Sequence, residues 1–174
     1  MKKENILKWF ILAIAIAINL FIMINAFING EASAKESNDV AHAAADAINV
    51  VKPETITPRN FDTFAFNFRK AVGHFALFVA SGGFTSWALY LFVKDKKVGY
   101  FLWQLLMTFS FGILMALGSE FAQVFVEGRT GAWLDVGIDF AGYFCGVFLV
   151  FFINLLRKSK IFFKLNYMKN QAAK

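Results

Sequence analysis

Four long hydrophobic runs, separated by polar stretches, divide the chain. Each has about the 20 residues that a helix rising 1.5 Å per residue needs to cross a ~30 Å hydrocarbon core. Because backbone amides in lipid must be satisfied within their own segment, the runs predict transmembrane helices. The expected fold class is all-α, an integral membrane four-helix bundle. The runs are Leu7–Asn29, Ala71–Val93, Val98–Leu117 and Val136–Leu156.

The polar stretch between the first two runs contains a weaker helical pattern. Ser37 is the predicted N-cap, Asp39 suits a first turn, and Pro53 follows the expected end. We therefore expect a short extracytoplasmic amphipathic helix there; a mobile polar loop is the alternative, because short helices are marginal. The apolar residues at helical spacing are Val40, Ala43, Ala44, Ala47, Ile48 and Val51.

Composition supports the membrane interpretation. Hydrophobic residues make up 58% of the 174 residues, and charged residues only 17%, whereas soluble domains have nearer half and a quarter. Cys145 is the single cysteine, which excludes an intrachain disulfide and a cysteine-based metal site. No metalloprotease, phosphate-loop or nucleophile-elbow motif is present. We expect no cofactor and no metal, although His74 beside carboxylates leaves a metal as a weak alternative.

The charges are distributed in a way that predicts orientation. The formal net charge is +6, and twelve of the eighteen basic residues fall at the N-terminus, in the Lys94–Lys97 turn, or after Leu156. The positive-inside rule then places both termini in the cytoplasm, and the charge needs no nucleic-acid partner. A cleaved signal peptide ending near Ala32-Ser33-Ala34 is the alternative for the first run, which is longer than the usual ~7–15-residue core.

These patterns divide the chain into four parts. Residues 1–29 form the cytoplasmic N-terminus and first span, and residues 30–68 the extracytoplasmic loop. Residues 69–156 form a core of three spans, and residues 157–174 a basic cytoplasmic tail.

Polar residues gather where three segments reach the outer boundary. The fourth run carries two acids and two glycines at offsets 0, 4, 7 and 11, which is one helix face, and the G-x3-G spacing favours close helix packing. Ionisable groups at membrane depth usually face a partner or a water-filled cavity, so we expect one shared site. The candidate residues are Arg69, Lys70, His74, Glu120, Gln123, Arg129, Asp135 and Asp139, with Gly142 and Gly146 as helix-packing residues.

Simpler interpretations exist for several of these residues. Arg69 and Lys70 are also typical interfacial residues whose charged ends reach water. His74 is also compatible with a packed histidine bonded to a backbone carbonyl. Arg129 could close the turn before the fourth span through an ion pair with Glu120 or Asp135.

At these residues the chain resembles the VanZ-like family of small bacterial membrane proteins. That family is marked by a basic residue and a histidine-phenylalanine pair, then E-x2-Q, an arginine, D-x3-N and G-x3-G. The resemblance covers about residues 60–156, and Asp139 departs from it, since the family usually has an amide there. It implies a location in the bacterial cell membrane, an association with the cell envelope and, for the namesake, with low-level teicoplanin resistance.

Three functions fit this pattern. A binding or modulating protein would hold an anionic envelope component, such as a lipid-linked intermediate or a membrane lipid, through arginine. An intramembrane enzyme would use His74 and Glu120 as general base and acid, with Arg129 stabilising negative charge. A structural subunit would use the polar groups only to join helices, with a membrane protein or a second copy as partner.

Overall fold

The computed structural model describes the backbone of residues 3–93 and 98–172 and the side chains of residues 5–93 and 102–157. The described chain is all-helical, which confirms the predicted fold class. The predicted basic turn at Lys94–Lys97 lies outside the described residues. The elements are α1 (Lys3–Ala26), α2 (Gly30–Val51), α3 (Phe61–Phe68), a π-helical segment (Arg69–Ala76, the π segment), α4 (Leu77–Val93), α5 (Val98–Gln123) and α6 (Trp133–Ala172).

Four helical stretches of the described chain are long and apolar enough to cross a membrane. They are Asn5–Ala26, Phe61–Val93, Leu102–Gln123 and Trp133–Arg157. The four predicted spans therefore exist, and the chain is a multi-pass membrane protein. The second stretch begins ten residues before the predicted start, because α3 and the π segment continue directly into α4.

The packing of the bundle centres on α4, which contacts α1, α5 and α6. One buried cluster joins Phe78 of α4 to Tyr143 and Val147 of α6. A second, towards the other end, joins Ile11 and Ala15 of α1 to Ala88 and Leu91 of α4. Between the two clusters, a short polar chain crosses from α1 to α4 and supplies hydrogen bonds that lipid cannot. In it Asn19 donates to Thr85 at 3.1 Å and accepts from Ser81 at 2.8 Å.

The helix in the polar stretch exists, but its predicted N-terminus was wrong. It begins at Gly30, where the Asn29 side chain accepts a hydrogen bond from the Glu31 amide at 2.9 Å. Ser37 lies two turns inside the helix and donates to the Ser33 carbonyl at 2.8 Å instead of capping. An asparagine can satisfy a free amide as well as a serine can, so a local pattern could not choose between them. The helix ends at Val51, before Pro53 as predicted.

The residues that α2 buries in the bundle lie outside the predicted apolar set. Its buried residues are Ser33, Ala41 and Ala45, which follow i, i+4 spacing, whereas Val51 on the predicted apolar face is 87% exposed. Small side chains let α2 lie closely on α3 and the π segment, which it contacts. The small residues of α2 therefore pack against the bundle, and its larger aliphatic residues are exposed.

The α1–α2 corner also contacts the loop between α5 and α6. The Gly30 amide donates to the Glu127 carbonyl at 3.0 Å, and a Cβ on Gly30 would overlap the Gly128 carbonyl. Gly128 itself has φ +73°, a conformation that glycine adopts without strain. The two connections thus meet at one end of the bundle, which we call the α2 end.

Candidate functional site

The π segment and α6 lie side by side and run in the same direction. Lys70 forms an ion pair with Asp135, and one turn further along His74 Nδ1 lies 3.0 Å from Asp139 Oδ1. The two contacts join residues that are equally far apart in the sequence, so the helices stay in register. Short π-helical segments are often found at functional sites, and this one directs Lys70 and His74 towards α6.

Gly142 and Gly146 make this close approach possible. A Cβ on Gly142 would overlap the carbonyl of Phe75, and one on Gly146 would overlap the carbonyl of Val79. Backbone therefore packs against backbone along this face of α6, as in other small-residue helix contacts in membranes. The acids Asp135 and Asp139 lie on the same face and are brought towards the π segment by that packing.

The carboxylate of Glu120, near the end of α5, accepts two hydrogen bonds. Its Oε2 accepts from the Ala132 amide at 3.0 Å, and its Oε1 accepts from Gln123 Nε2 at 3.0 Å. The Oε1 atom also lies 3.8 Å from His74 Nδ1. The carboxylate therefore connects α5 to the start of α6 and to the π segment.

Arg129, in the loop between α5 and α6, reaches across to α2. Its guanidinium donates to the Ser33 hydroxyl, while its Nε is buried and has no hydrogen-bond partner among the described residues. Burial and the nearby positive charge of Arg69 lower the pKa of Arg129, and the negative charge of Glu120 opposes them. An arginine remains charged despite such a shift, so positive charge is kept at a half-buried position.

A cavity of about 310 Å³ lies at the α2 end, between α1, α2, the π segment and α5. Its polar lining includes five of the candidate residues. Apolar side chains such as Phe21, Val72 and Phe78 form the rest of its wall. The polar and charged lining residues are Asn25, Ser33, Glu36, Ser37, Arg69, His74, Ser119, Gln123, Arg129 and Asp139.

The structure separates the other predicted site residues from this lining. Lys70 and Asp135 pair with each other and do not line the cavity. Glu120 does not line it either, but its carboxylate lies next to the lining residue His74. Neither ion pair suggested for Arg129, with Glu120 or with Asp135, forms within the described part of the chain. Lys70, which comes from another helix, pairs with Asp135 in place of the arginine.

Sequence reasoning missed two serines. Ser33 accepts from Arg129, and Ser119 Oγ lies 3.5 Å from Asp139 Oδ2. Ser33 could have been found from the run of small residues at i, i+4 spacing in α2. Ser119 directly precedes Glu120, but nothing in its local sequence indicates that it faces α6.

Three side chains from three helical segments also offer ligand atoms for a metal. One atom each from His74, Glu120 and Asp139 lies within 4.8 Å of the other two. From the sequence a metal at His74 was only a weak alternative, because the three residues are far apart in the chain and show no ligand spacing.

These features define a multi-pass α-helical membrane protein with a polar cavity at one end of its bundle. The VanZ/LLP1 family pattern matches residues 9–155, and the chain belongs to the VanZ/LLP1 family. The match confirms the resemblance drawn from the polar motifs. No curated protein and no solved structure matches the chain significantly.

Proposed function

We propose that this protein binds an anionic group of a cell-envelope component, such as the headgroup of a lipid-linked intermediate, in the cavity at the α2 end. The proposal rests on the lack of carboxylate partners for Arg69 and Arg129 among the described residues. Both line the cavity, and neither forms an ion pair with a carboxylate in the part of the chain that the structure describes. Two arginines without a counter-ion favour an anion from outside the protein.

The other charges of the cavity are compatible with this ligand. Asp139 is occupied by His74 and Ser119, and Glu36 is an exposed residue of α2. Arg129 keeps a free, buried Nε–H beside its bond to Ser33. Guanidinium groups bind phosphate and carboxylate through two parallel hydrogen bonds, and a desolvated N–H gains most from such a partner.

The size and walls of the cavity favour a lipid headgroup. A volume of about 310 Å³ is at the lower end of small-molecule sites. Phe21 and Val72 line it and are 55% and 45% exposed, so an acyl or isoprenoid chain could leave along an apolar wall. The lysine distribution predicts that the α2 end is extracytoplasmic, where cell-wall intermediates are found. Through such binding the protein would influence susceptibility to glycopeptides such as teicoplanin.

Lipid retention tests this proposal. The full-length protein and its Arg129→Ala variant are purified in mild detergent, and the retained lipids are identified by mass spectrometry. We expect the variant to lose the anionic lipid about tenfold or more, because a charge-assisted hydrogen bond contributes about 1.5–3 kcal/mol. Arg129→Lys should restore part of the retention.

The control is Arg59→Ala, which removes an exposed arginine from the loop before α3. It lowers the net charge equally and should leave retention unchanged. Equal loss in both variants would show that retention follows overall charge. Full retention by a folded Arg129→Ala protein would remove the proposed site.

An intramembrane enzyme is a second candidate, because His74 lines the same cavity and contacts two carboxylates. A general base must lie within hydrogen-bond reach of its substrate, and His74 is placed beside the space that a headgroup would occupy. Loss of turnover of a lipid-linked substrate in both His74→Ala and Glu120→Gln is expected. Turnover that survives both changes would exclude this assignment.

A further inference from the structure

We infer that His74, Glu120 and Asp139 form a binding site for one divalent transition-metal ion, of the Mn²⁺ or Zn²⁺ type. The ligand atoms would be His74 Nδ1, one oxygen of Glu120 and one oxygen of Asp139, supplied by the π segment, α5 and α6. This inference is independent of the anion site, since the metal alone can be tested.

The distances fit a shared metal ion. His74 Nδ1 lies 3.0 Å from Asp139 Oδ1 and 3.8 Å from Glu120 Oε1, and all three ligand atoms lie within 4.8 Å of one another. Ligands about 2.0–2.2 Å from a tetrahedral ion are separated by ~3.3 Å. Closing separations of up to 4.8 Å to that spacing requires a movement of about 1.5 Å, shared between two side chains.

The two buried carboxylates of the cluster also favour a bound cation. The Glu120 and Asp139 side chains are only 5% and 1% exposed. No lysine or arginine within the described residues forms an ion pair with either one, because Lys70 is paired with Asp135. Buried charges are normally paired or bound to metals, and one imidazole supplies at most a single positive charge for two carboxylates.

Outer groups orient these ligands. The Ala132 amide holds Glu120 Oε2 at 3.0 Å, which leaves Oε1 directed at His74. Ser119 Oγ lies 3.5 Å from Asp139 Oδ2, while Oδ1 faces the imidazole. Hydrogen bonds that fix metal-ligating carboxylates in this way are a regular feature of metal sites.

One coordination position would face the cavity. His74, Ser119 and Asp139 line the cavity whereas Glu120 lies behind it. Three protein ligands with an open position are typical of zinc sites that bind water or substrate. One imidazole with two carboxylates also suits Mn²⁺. An oxygen atom of water or of a bound anion would complete the coordination.

Titration with the metal alone tests the inference. The full-length protein in detergent is treated with a chelator, and free Mn²⁺ is followed by its electron paramagnetic resonance signal. We expect saturable uptake of one Mn²⁺ per chain, displaced by Zn²⁺, and a rise in melting temperature on binding. Absence of saturable uptake would overturn the site.

Variants assign the ligands. Glu120→Gln and Asp139→Asn should each weaken Mn²⁺ binding about 100-fold or more, and Ser119→Ala about tenfold. The exposed loop residue Glu127 provides the matched control, and Glu127→Gln should bind as tightly as the unchanged protein. Unchanged affinity in both ligand variants would contradict the assignment.

Two measurements keep the test independent of variant folding. Without metal, Glu120→Gln and Asp139→Asn should melt no lower than the unchanged protein, because each removes an excess buried charge. In the unchanged protein, bound Mn²⁺ should show magnetic coupling to a single imidazole nitrogen. Bound Mn²⁺ without that coupling would exclude His74 as a ligand.

Discussion

The two ends of this helix bundle are held together in different ways. Towards the other end, α1 and α4 pack through aliphatic side chains, with Ile11 and Ala15 against Ala88 and Leu91. At the α2 end, the π segment and α6 meet through the Lys70–Asp135 ion pair and the His74–Asp139 contact. Ion pairs are an expensive way to join helices in a membrane. Among the described residues they occur at the α2 end, which points to a function there.

The largest effect is expected at the glycine contact between α6 and α4, next to the polar residues of the α2 end. Gly146→Leu should destabilise the protein by about 3 kcal/mol or more, because its side chain would overlap the Val79 carbonyl and force the helices apart. Thermal unfolding in detergent measures the loss. Gly137→Leu on the same helix meets no atom within 4 Å and should change stability by less than about 0.5 kcal/mol.

The ion pair should have an intermediate effect. Lys70→Met or Asp135→Asn alone should cost about 1–2 kcal/mol, since each leaves a partly buried charge without its partner. The double change Lys70→Met with Asp135→Asn should recover most of that stability. A double-mutant cycle by chemical denaturation gives the coupling, and additive losses would show that the pair contributes nothing as a pair.

The smallest effect is expected where α2 meets the loop. Ser33→Ala removes the acceptor for Arg129 and should cost about 1 kcal/mol. It should weaken anion binding less than Arg129→Ala does. Ser37→Ala is the comparison, because the Ser37 hydroxyl bonds only carbonyls of its own helix. Equal losses of stability and of anion binding in the two serine variants would indicate a general effect on α2 instead of a loss of the Arg129 contact.

Long apolar runs made most of the fold predictable. A run such as Val136–Leu156 can only be helical in lipid, and the structure places a helix over it. The ends of the helices were less predictable, because several neighbouring polar residues can each serve as the N-cap of a helix. The third apolar run ends at Leu117, yet α5 continues to Gln123. Asn29, not Ser37, caps α2.

The pairing of the polar side chains was the least predictable feature. Offsets along α6 placed Asp135 and Asp139 on one face, but they could not identify the partners opposite. Lys70 took the position that was suggested for Arg129, and Arg129 bonded to Ser33 across 96 residues. The π segment left no pattern that separates it from an ordinary helix.

The sequence alone determined that this chain crosses a membrane in four helices and that α6 carries its acids and glycines on one side. Those properties depend on hydropathy and on helical period, which are local. Only the tertiary structure decided that His74, Glu120 and Asp139 meet, and that within the described part of the chain no carboxylate forms an ion pair with Arg69 or Arg129. Contacts between helices depend on which backbones can approach closely, and here Gly142 and Gly146 set that approach.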